Sequence, residues 1–174
     1  VVLKTSYTNS TAVLKISNRK GTTSGPKQNL TGKLEAGKTY YFSAKVKYDA
    51  LDSAPDNRTF NFTMQNGPDY RYRKNLGSKS IKKGEWGTIS GTYTMPEDVD
   101  PDNVFIFIET SWTPEQDKNK DLMDFYVDDV SFVDMTVDAN IIKNGEFDSD
   151  IESWEGTWAG KVKWNDDGVV HVYD

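Results

Sequence analysis

The sequence predicts an all-β protein, an antiparallel β-sandwich of the jelly-roll type. Apolar and polar residues alternate with a period of two in several segments, which is the pattern of strands that bury one face. Clusters of Gly, Pro, Asn and Asp separate these segments at short intervals, as in sandwiches built from consecutive strands. No segment shows the convincing 3.6-residue period of an amphipathic helix.

The strand predictions follow the chain in order. The clearest alternation is in residues 40–48 and 59–65, where aromatic or other apolar side chains take every second position. Weaker patterns predict further strands at residues 12–18, 70–74, 87–95, 104–109, 125–133 and 169–173. Turn-forming residues separate the runs at residues 35–38, 66–69, 82–85 and 96–101.

The composition excludes several classes of function. A net charge of −6 at pH 7 argues against nucleic acid as a partner, because neutralising phosphates requires a basic surface. No apolar run approaches the length of a membrane span. The chain has no cysteine and a single histidine, His171, and no nucleophile motif surrounds any serine. We therefore expect a binding protein and not an enzyme, with neither nucleic acid nor membrane as partner.

Residues 104–109 have two contrasting faces. Aliphatic side chains alternate there with Phe105, Phe107 and Glu109. The aliphatic set is the better core candidate, so the aromatic and acidic set is expected to form an exposed stripe, which is unusual for a plain solvent face. Sugars present flat apolar C–H faces and rings of hydroxyl groups, which suit an aromatic plate beside polar side chains.

Two neighbouring segments add polar groups to this candidate surface. The non-core face of residues 59–65 carries Asn61, Thr63 and Gln65, which can donate to and accept from hydroxyl groups. The run Tyr70-Arg-Tyr-Arg73 adds two aromatic rings and two guanidinium groups. The sequence therefore predicts a sugar-binding surface built on a sheet.

The chain also carries an ordered set of motifs: Gly25-Pro26, Leu34-Glu-Ala-Gly-Lys-Thr-Tyr40, Lys83-Gly-Glu-Trp86, Ser90-Gly-Thr-Tyr-Thr-Met-Pro96 and Asp124-Phe-Tyr-Val-Asp-Asp-Val-Ser131. This set, over residues 12–133, resembles carbohydrate-binding modules of the family 4, 9 and 22 type, most closely family 22. The resemblance implies a non-catalytic module of a secreted, extracellular bacterial enzyme. It would share a polypeptide with a catalytic module and bind xylan or mixed-linkage β-glucan. The alternative is a structural module with weak or lost glycan binding.

The resemblance implies that Tyr72, Phe107 and Glu109 contact the glycan. Family 22 commonly has a tryptophan before the Gly-Pro pair, whereas residues 20–24 contain no aromatic side chain. Trp112 or Trp158 is a candidate replacement for this missing stacking plate. The full predicted carbohydrate-binding set is Asn61, Gln65, Tyr70, Tyr72, Arg73, Phe107, Glu109 and Trp158.

The family's opening motif lies late in this chain, as Asn144-Gly-Glu-Phe-Asp148 with Trp154 after it. We expect residues 1–138 to form the main body of the sandwich and residues 139–174 to resemble its N-terminal strands. These strands are expected to pack on the same sandwich, in a circularly permuted chain or by strand exchange between molecules, with Trp154 buried. Alternatively, residues 139–174 begin a second module of a tandem pair.

The resemblance further implies a structural Ca²⁺ ion. The corresponding acids are Glu146 from the displaced motif and Asp129, with Asp128 beside it, and backbone carbonyls would complete the shell. Hard oxygen ligands in a roomy sphere suit Ca²⁺ better than Mg²⁺ or Zn²⁺. Such a site requires the displaced motif to lie against the strand that carries Asp129.

Overall fold

Two β-sheets packed face to face form the fold. The computed structural model describes residues 13–48, 54–66, 72–97, 103–118, 120–147, 152–156, 161–164 and 169–173, of which residues 72–74, 161–164 and 169–173 are described by their backbone alone. These residues form strands, turns and bends, and the described part of the chain contains no helix that could cross a membrane. The predicted all-β sandwich is confirmed.

Twelve strands are found among the described residues. They are β1 (Val13–Ile16), β2 (Pro26–Asn29), β3 (Thr39–Tyr48), β4 (Asn57–Asn66), β5 (Tyr72–Lys82), β6 (Gly87–Thr94), β7 (Phe105–Thr110), β8 (Phe125–Asp134), β9 (Ala139–Asn140), β10 (Glu155–Gly156), β11 (Lys161–Trp164) and β12 (Val169–Tyr173). A seven-stranded sheet has the order β11-β12-β1-β8-β3-β6, with β9 paired to β8, and a five-stranded sheet has the order β10-β2-β7-β4-β5. Strand pairs are antiparallel except for β1 and β12, which are parallel.

Aromatic side chains fill the space between the sheets. Every second residue of β3 is buried, as its alternation predicts. The ring of Phe42 on β3 lies 5.0 Å from that of Phe62 on β4, so the two sheets meet through aromatic contacts. The aliphatic residues of β7 are also buried, which confirms the core face predicted for that strand.

Strand β5 is longer than the predicted strand at residues 70–74. Its apolar period is broken by Gly77, where an added Cβ would lie 2.9 Å from the Phe42 ring. The register between β4 and β5 also shifts between Phe62 and Thr63, which moves later residues of β5 out of simple alternation. A glycine required by close packing, together with a bulge, therefore left the later part of this strand without a recognisable pattern.

The described residues of the segment 139–174, which we call the tail, pack on both sheets. Strand β10 pairs with β2 at the edge of one sheet, while β9 pairs with β8 and β12 with β1 in the other. Phe147 and Trp154 are buried with ring centroids 5.1 Å apart, and the Trp154 indole N–H donates to the carbonyls of Lys143 and Asn144. The burial predicted for Trp154 is confirmed. The division of the chain at residue 138 and the permuted or exchanged origin of the tail stay predictions.

A bulge in β8 contacts the segment 144–147 through the backbone. The register between β3 and β8 shifts where Asp129 adopts a left-handed conformation with φ of 47°. The Val130 amide next to it donates to the Gly145 carbonyl at 2.9 Å. A Cβ at residue 145 would lie 2.0 Å from the Val130 carbonyl oxygen, so this approach requires glycine.

A buried arginine ties together the loops at one end of the sandwich. Arg19, 5% exposed, follows β1, and its guanidinium lies over the Phe125 ring. All three of its nitrogen atoms donate hydrogen bonds, four to main-chain carbonyls and one to a hydroxyl. The acceptors are the carbonyls of Thr22, Ser24, Asp121 and Met123 and the hydroxyl of Thr110. The β1–β2 and β7–β8 loops are thereby held to the end of β7.

Candidate functional site

The outer face of the five-stranded sheet gathers most of the described residues predicted to bind a glycan. In the register of β4 and β7, Asn61 lies opposite Glu109 and Thr63 lies opposite Phe107. Directly opposite residues of an antiparallel pair project from the same face of a sheet. Gln65 joins this face opposite Phe105. We call this surface, made by the outward residues of β2, β7, β4 and β5, the outer face.

Glu109 lies near the end of β7, the central strand of the five-stranded sheet. It is 3% exposed, and its Oε1 accepts a hydrogen bond of 2.8 Å from the Thr63 hydroxyl. A carboxylate held in this way is a fixed acceptor, and charge-assisted hydrogen bonds are stronger than neutral ones. Its position suits an acceptor for a sugar hydroxyl, with the side chain already ordered before a ligand arrives.

The prediction that Phe105, Phe107 and Glu109 form an exposed stripe on β7 is wrong. Phe107 is 4% exposed, Glu109 is similarly buried, and Phe105 is half-buried. Strand β7 lies between β2 and β4, where Lys27 of β2 lies over the Phe105 ring and Thr63 of β4 donates a hydrogen bond to Glu109. The outer face therefore offers polar groups beside aromatic rings that are largely covered.

Lys27 on β2 belongs to the outer face, although sequence analysis did not single it out. Its Nζ lies 5.0 Å from the centroid of the Phe105 ring and 3.3 Å from Glu155 Oε2 of the tail. An ammonium over a ring is a favourable cation–π contact, and here it covers one face of the Phe105 ring. The strand itself was not predicted, because Pro-Lys-Gln-Asn has three consecutive polar side chains and no apolar alternation.

A cluster of amide and hydroxyl groups lies on β4 and β5 beside Glu109. Asn61 Oδ1 accepts hydrogen bonds from the hydroxyls of Ser78 and Ser111 at 2.9 and 3.3 Å and from Asn75 Nδ2 at 3.4 Å. Asn75 Nδ2 also donates to the Ser78 hydroxyl at 2.6 Å. Only Asn61 of this cluster was predicted, since the register that brings in the others depends on the bulge between β4 and β5.

The remaining predicted sugar-binding residues are less fully described. The backbone register pairs Arg73 with Gln65 and Tyr72 with Asn66. Arg73 therefore occupies a strand position opposite a residue of the outer face. Tyr70 and Trp158 lie outside the described residues. The roles of these four residues stay predictions.

The acids predicted to hold calcium lie on two segments whose backbones are in contact, since the Val130 amide donates to the Gly145 carbonyl. Asp129 forms an ion pair with Lys45, and Asp128 Oδ1 accepts from the Asp129 amide at 2.8 Å. Glu146 is exposed, one residue after the glycine that contacts Val130. Within the described ranges, no three acidic, histidine or cysteine side chains form a group suited to a metal. The described residues therefore do not form a ready-made cation site.

The fold is a β-sandwich, and comparisons with known proteins identify its family. The chain belongs to the family described as "Carbohydrate binding domain" (CBM_4_9), whose profile matches residues 1–117. It is 33% identical over 127 residues to endo-1,4-beta-xylanase A of Thermotoga maritima, covering 70% of this chain and 11% of that protein. It is 26% identical over 155 residues to endo-1,4-beta-xylanase A of Thermoanaerobacterium saccharolyticum, covering 86% of this chain and 13% of that protein.

Two solved structures agree with the fold. The CBM22-1–CBM22-2 tandem domain of Paenibacillus barcinonensis Xyn10C matches with a TM-score of 0.62 and 25% identity, over 74% of this chain and 40% of that one. The CBM22-2 xylan-binding domain of the same enzyme matches with a TM-score of 0.59 and 23% identity, over 68% and 76% of the two chains, a likeness of fold alone. The chain spans about a tenth of the curated xylanases, and it is homologous to their carbohydrate-binding, non-catalytic modules.

Proposed function

We propose that this carbohydrate-binding module binds xylan on the outer face of the five-stranded sheet. The observation that carries the proposal is the row formed by Glu109, Thr63 and Asn61, in which an ordered carboxylate stands beside hydroxyl and amide groups. A glycan chain lying along β7 would meet the polar row with its hydroxyls and the half-buried ring of Phe105 with a C–H face. The names of the xylanase relatives and of the xylan-binding structures support this choice of glycan.

Affinity electrophoresis tests the proposal. We expect the chain to migrate more slowly in a gel that contains soluble xylan than in a gel without polysaccharide. Glu109→Gln keeps an acceptor for Thr63 but removes the charge, so we expect it to weaken xylan binding about tenfold. Glu85→Gln, on the exposed turn between β5 and β6, is the matched control and should migrate like the unaltered chain. Equal migration in both gels by the unaltered chain would contradict xylan binding.

Mixed-linkage β-glucan is a second glycan that we propose for the outer face. Mixed-linkage β-glucan also presents β-linked pyranose rings, and a parallel gel with this polysaccharide decides whether the module binds it.

We further propose that the module acts within a secreted bacterial enzyme and shares a polypeptide with a catalytic module, as the xylanase relatives suggest. Detection of the parent protein in culture medium, with xylan hydrolysis by that protein, tests this assignment.

The competing function is a structural module with weak or lost glycan binding. Lys27 over the Phe105 ring, the burial of Phe107 and the absence of an aromatic residue at positions 20–24 favour it. Unretarded migration in both polysaccharide gels by a chain that melts cooperatively would support this alternative.

We also propose a structural Ca²⁺ ion held by Glu146, Asp129 and Asp128. The contact between Gly145 and Val130 supports it, because it brings the displaced motif against the strand of the two aspartates. Binding would require Asp129 to exchange its ion pair with Lys45 for the metal. We expect added Ca²⁺ to raise the melting temperature by several degrees, since a ligand that binds only the folded state stabilises it.

Paired melting curves in Ca²⁺ and in EDTA measure this effect. Asp129→Asn should remove the difference between the two curves. Asp138→Asn alters an exposed aspartate in the neighbouring turn, at a positive φ that asparagine tolerates, and should keep the difference. Identical curves for the unaltered chain would show that these acids bind no calcium.

A further inference from the structure

One exposed tryptophan stands at the loop end of the outer face. Trp112 directly follows Ser111 after β7 and is 67% exposed. Ser111 is two residues beyond Glu109, about 7 Å further along the strand direction. Trp112 therefore lies at the end of the sheet where the Ser111 hydroxyl contacts Asn61.

The backbone that presents Trp112 is held from several sides. The Ser111 amide donates to the Thr59 carbonyl at 3.0 Å, and the Ser111 carbonyl accepts from Arg58 Nη2 at 2.6 Å. The Ser111 hydroxyl reaches Asn61 Oδ1 at 3.3 Å. An aromatic side chain on an anchored backbone loses little conformational entropy when a ligand stacks on it, which favours binding.

The amide and hydroxyl cluster next to Ser111 has unused hydrogen-bonding capacity. Asn61 Oδ1 accepts hydrogen bonds from the three donors described above. In the described part of the chain, no partner is found for the side-chain Nδ2 of Asn61 or for Asn75 Oδ1. Asn75 and Ser78 are exposed, and Asn61 is half-buried. Donors and an acceptor at one place are what a sugar ring with adjacent hydroxyls requires.

We propose that Trp112 and the cluster of Asn61, Asn75 and Ser78 form a further sugar subsite at this end of the outer face. Its ligand is one pyranose ring of a β-linked glycan chain that continues past Glu109. The ring stacks a C–H face on the indole and exchanges hydrogen bonds with Asn61 and Asn75. The inference rests on the proposed function, and it assigns to Trp112 the stacking role that residues 20–24 lack.

Trp86 provides a matched comparison within the same chain. It is also exposed, at 45%, but it lies on the turn between β5 and β6, beside the Lys82–Glu85 ion pair and directly before a strand of the other sheet. The two tryptophans are therefore alike in chemistry and exposure and differ in their surroundings. Replacing either one should leave the melting temperature nearly unchanged, because exposed side chains contribute little to stability.

Isothermal titration with xylobiose, xylotriose, xylotetraose and xylohexaose tests the subsite. For the unaltered chain we expect affinity to rise with oligosaccharide length up to the longest. Trp112→Ala should weaken xylohexaose binding about tenfold, a loss of the size that aromatic contacts supply, and leave binding of short oligosaccharides unchanged. Asn75→Ala should produce a smaller loss with the same length dependence, and Trp86→Ala should produce none.

The outcomes separate the subsite from the function on which it rests. If the unaltered chain binds xylohexaose and Trp112→Ala binds it equally well, the subsite is wrong and the proposed function stands. If Trp112→Ala weakens short and long oligosaccharides alike, Trp112 belongs to the central site and the proposed extension is overturned. If the unaltered chain binds none of the four, both proposals fail.

Discussion

Removing residues 139–174 is expected to abolish the cooperative folding of this chain. The tail supplies Phe147 and Trp154 to the core, and its strands pair with the edges of β1 and β2. Losing one buried Phe or Trp side chain costs about 3–5 kcal/mol. Two such losses approach or exceed the roughly 5–15 kcal/mol of net stability of an ordinary domain. The exposed strand edges that remain would also favour aggregation.

Circular dichroism during heating measures this prediction. We expect a chain that ends at residue 138 to show no cooperative melting and to aggregate. In the full chain, Trp154→Ala should lower the stability by about 3–5 kcal/mol. Lys143→Ala removes an exposed side chain from the same segment and should change stability by less than about 0.5 kcal/mol. A shortened chain that melts like the full one would mean that the tail belongs to another module.

Replacing Arg19 is expected to produce the second large loss of stability. Arg19→Met keeps much of the apolar volume but removes the Arg19 donors from the buried main-chain carbonyls of Ser24, Asp121 and Met123. The Thr22 carbonyl keeps the donors of Thr110. An unsatisfied buried polar group costs about 1–3 kcal/mol, so a total of about 3–5 kcal/mol is expected after partial relaxation. Burial lowers the pKa of Arg19 to about 9, which leaves the guanidinium charged at neutral pH.

Two further variants separate charge from geometry at this position. Arg19→Lys keeps the positive charge but cannot supply a planar fork of donors, so we expect an intermediate loss in urea denaturation. Lys20→Met changes the next residue, which is exposed, and should leave the urea midpoint nearly unchanged. If Arg19→Met and Lys20→Met denature at the same urea concentration, the hydrogen bonds of Arg19 do not hold the loops together.

Strands with a regular pattern could be predicted from the sequence, whereas strands held by distant contacts could not. Strand β3 was predicted because its inward residues are all aromatic or aliphatic, while Ser43, Lys45 and Lys47 lie outward. Strand β2 was missed because its inward position is Gln28, a polar residue that is 1% exposed. Gln28 is buried because its amide exchanges hydrogen bonds with the backbone of Lys143, which lies 115 positions away. No local pattern carries that information.

The candidate site was likewise predictable from local sequence patterns only in part. The alternation of β7 predicted which side chains leave the core, and the structure places Phe107 and Glu109 on the outer face. Their burial there depends on neighbours in β2 and β4 that the sequence does not pair. The contributions of Lys27, Asn75 and Ser78 likewise follow from register, and a bulge changes register without a reliable sequence signal.

A heteronuclear NMR titration with xylohexaose tests most directly whether the outer face binds glycan. The amide and side-chain resonances of Asn61, Gln65 and Glu109 should shift progressively and saturate. The resonances of Lys45 and Tyr126, on the opposite sheet, should stay in place. Shifts confined to the seven-stranded sheet, or no shifts at all by a folded chain, would contradict a glycan site on the outer face.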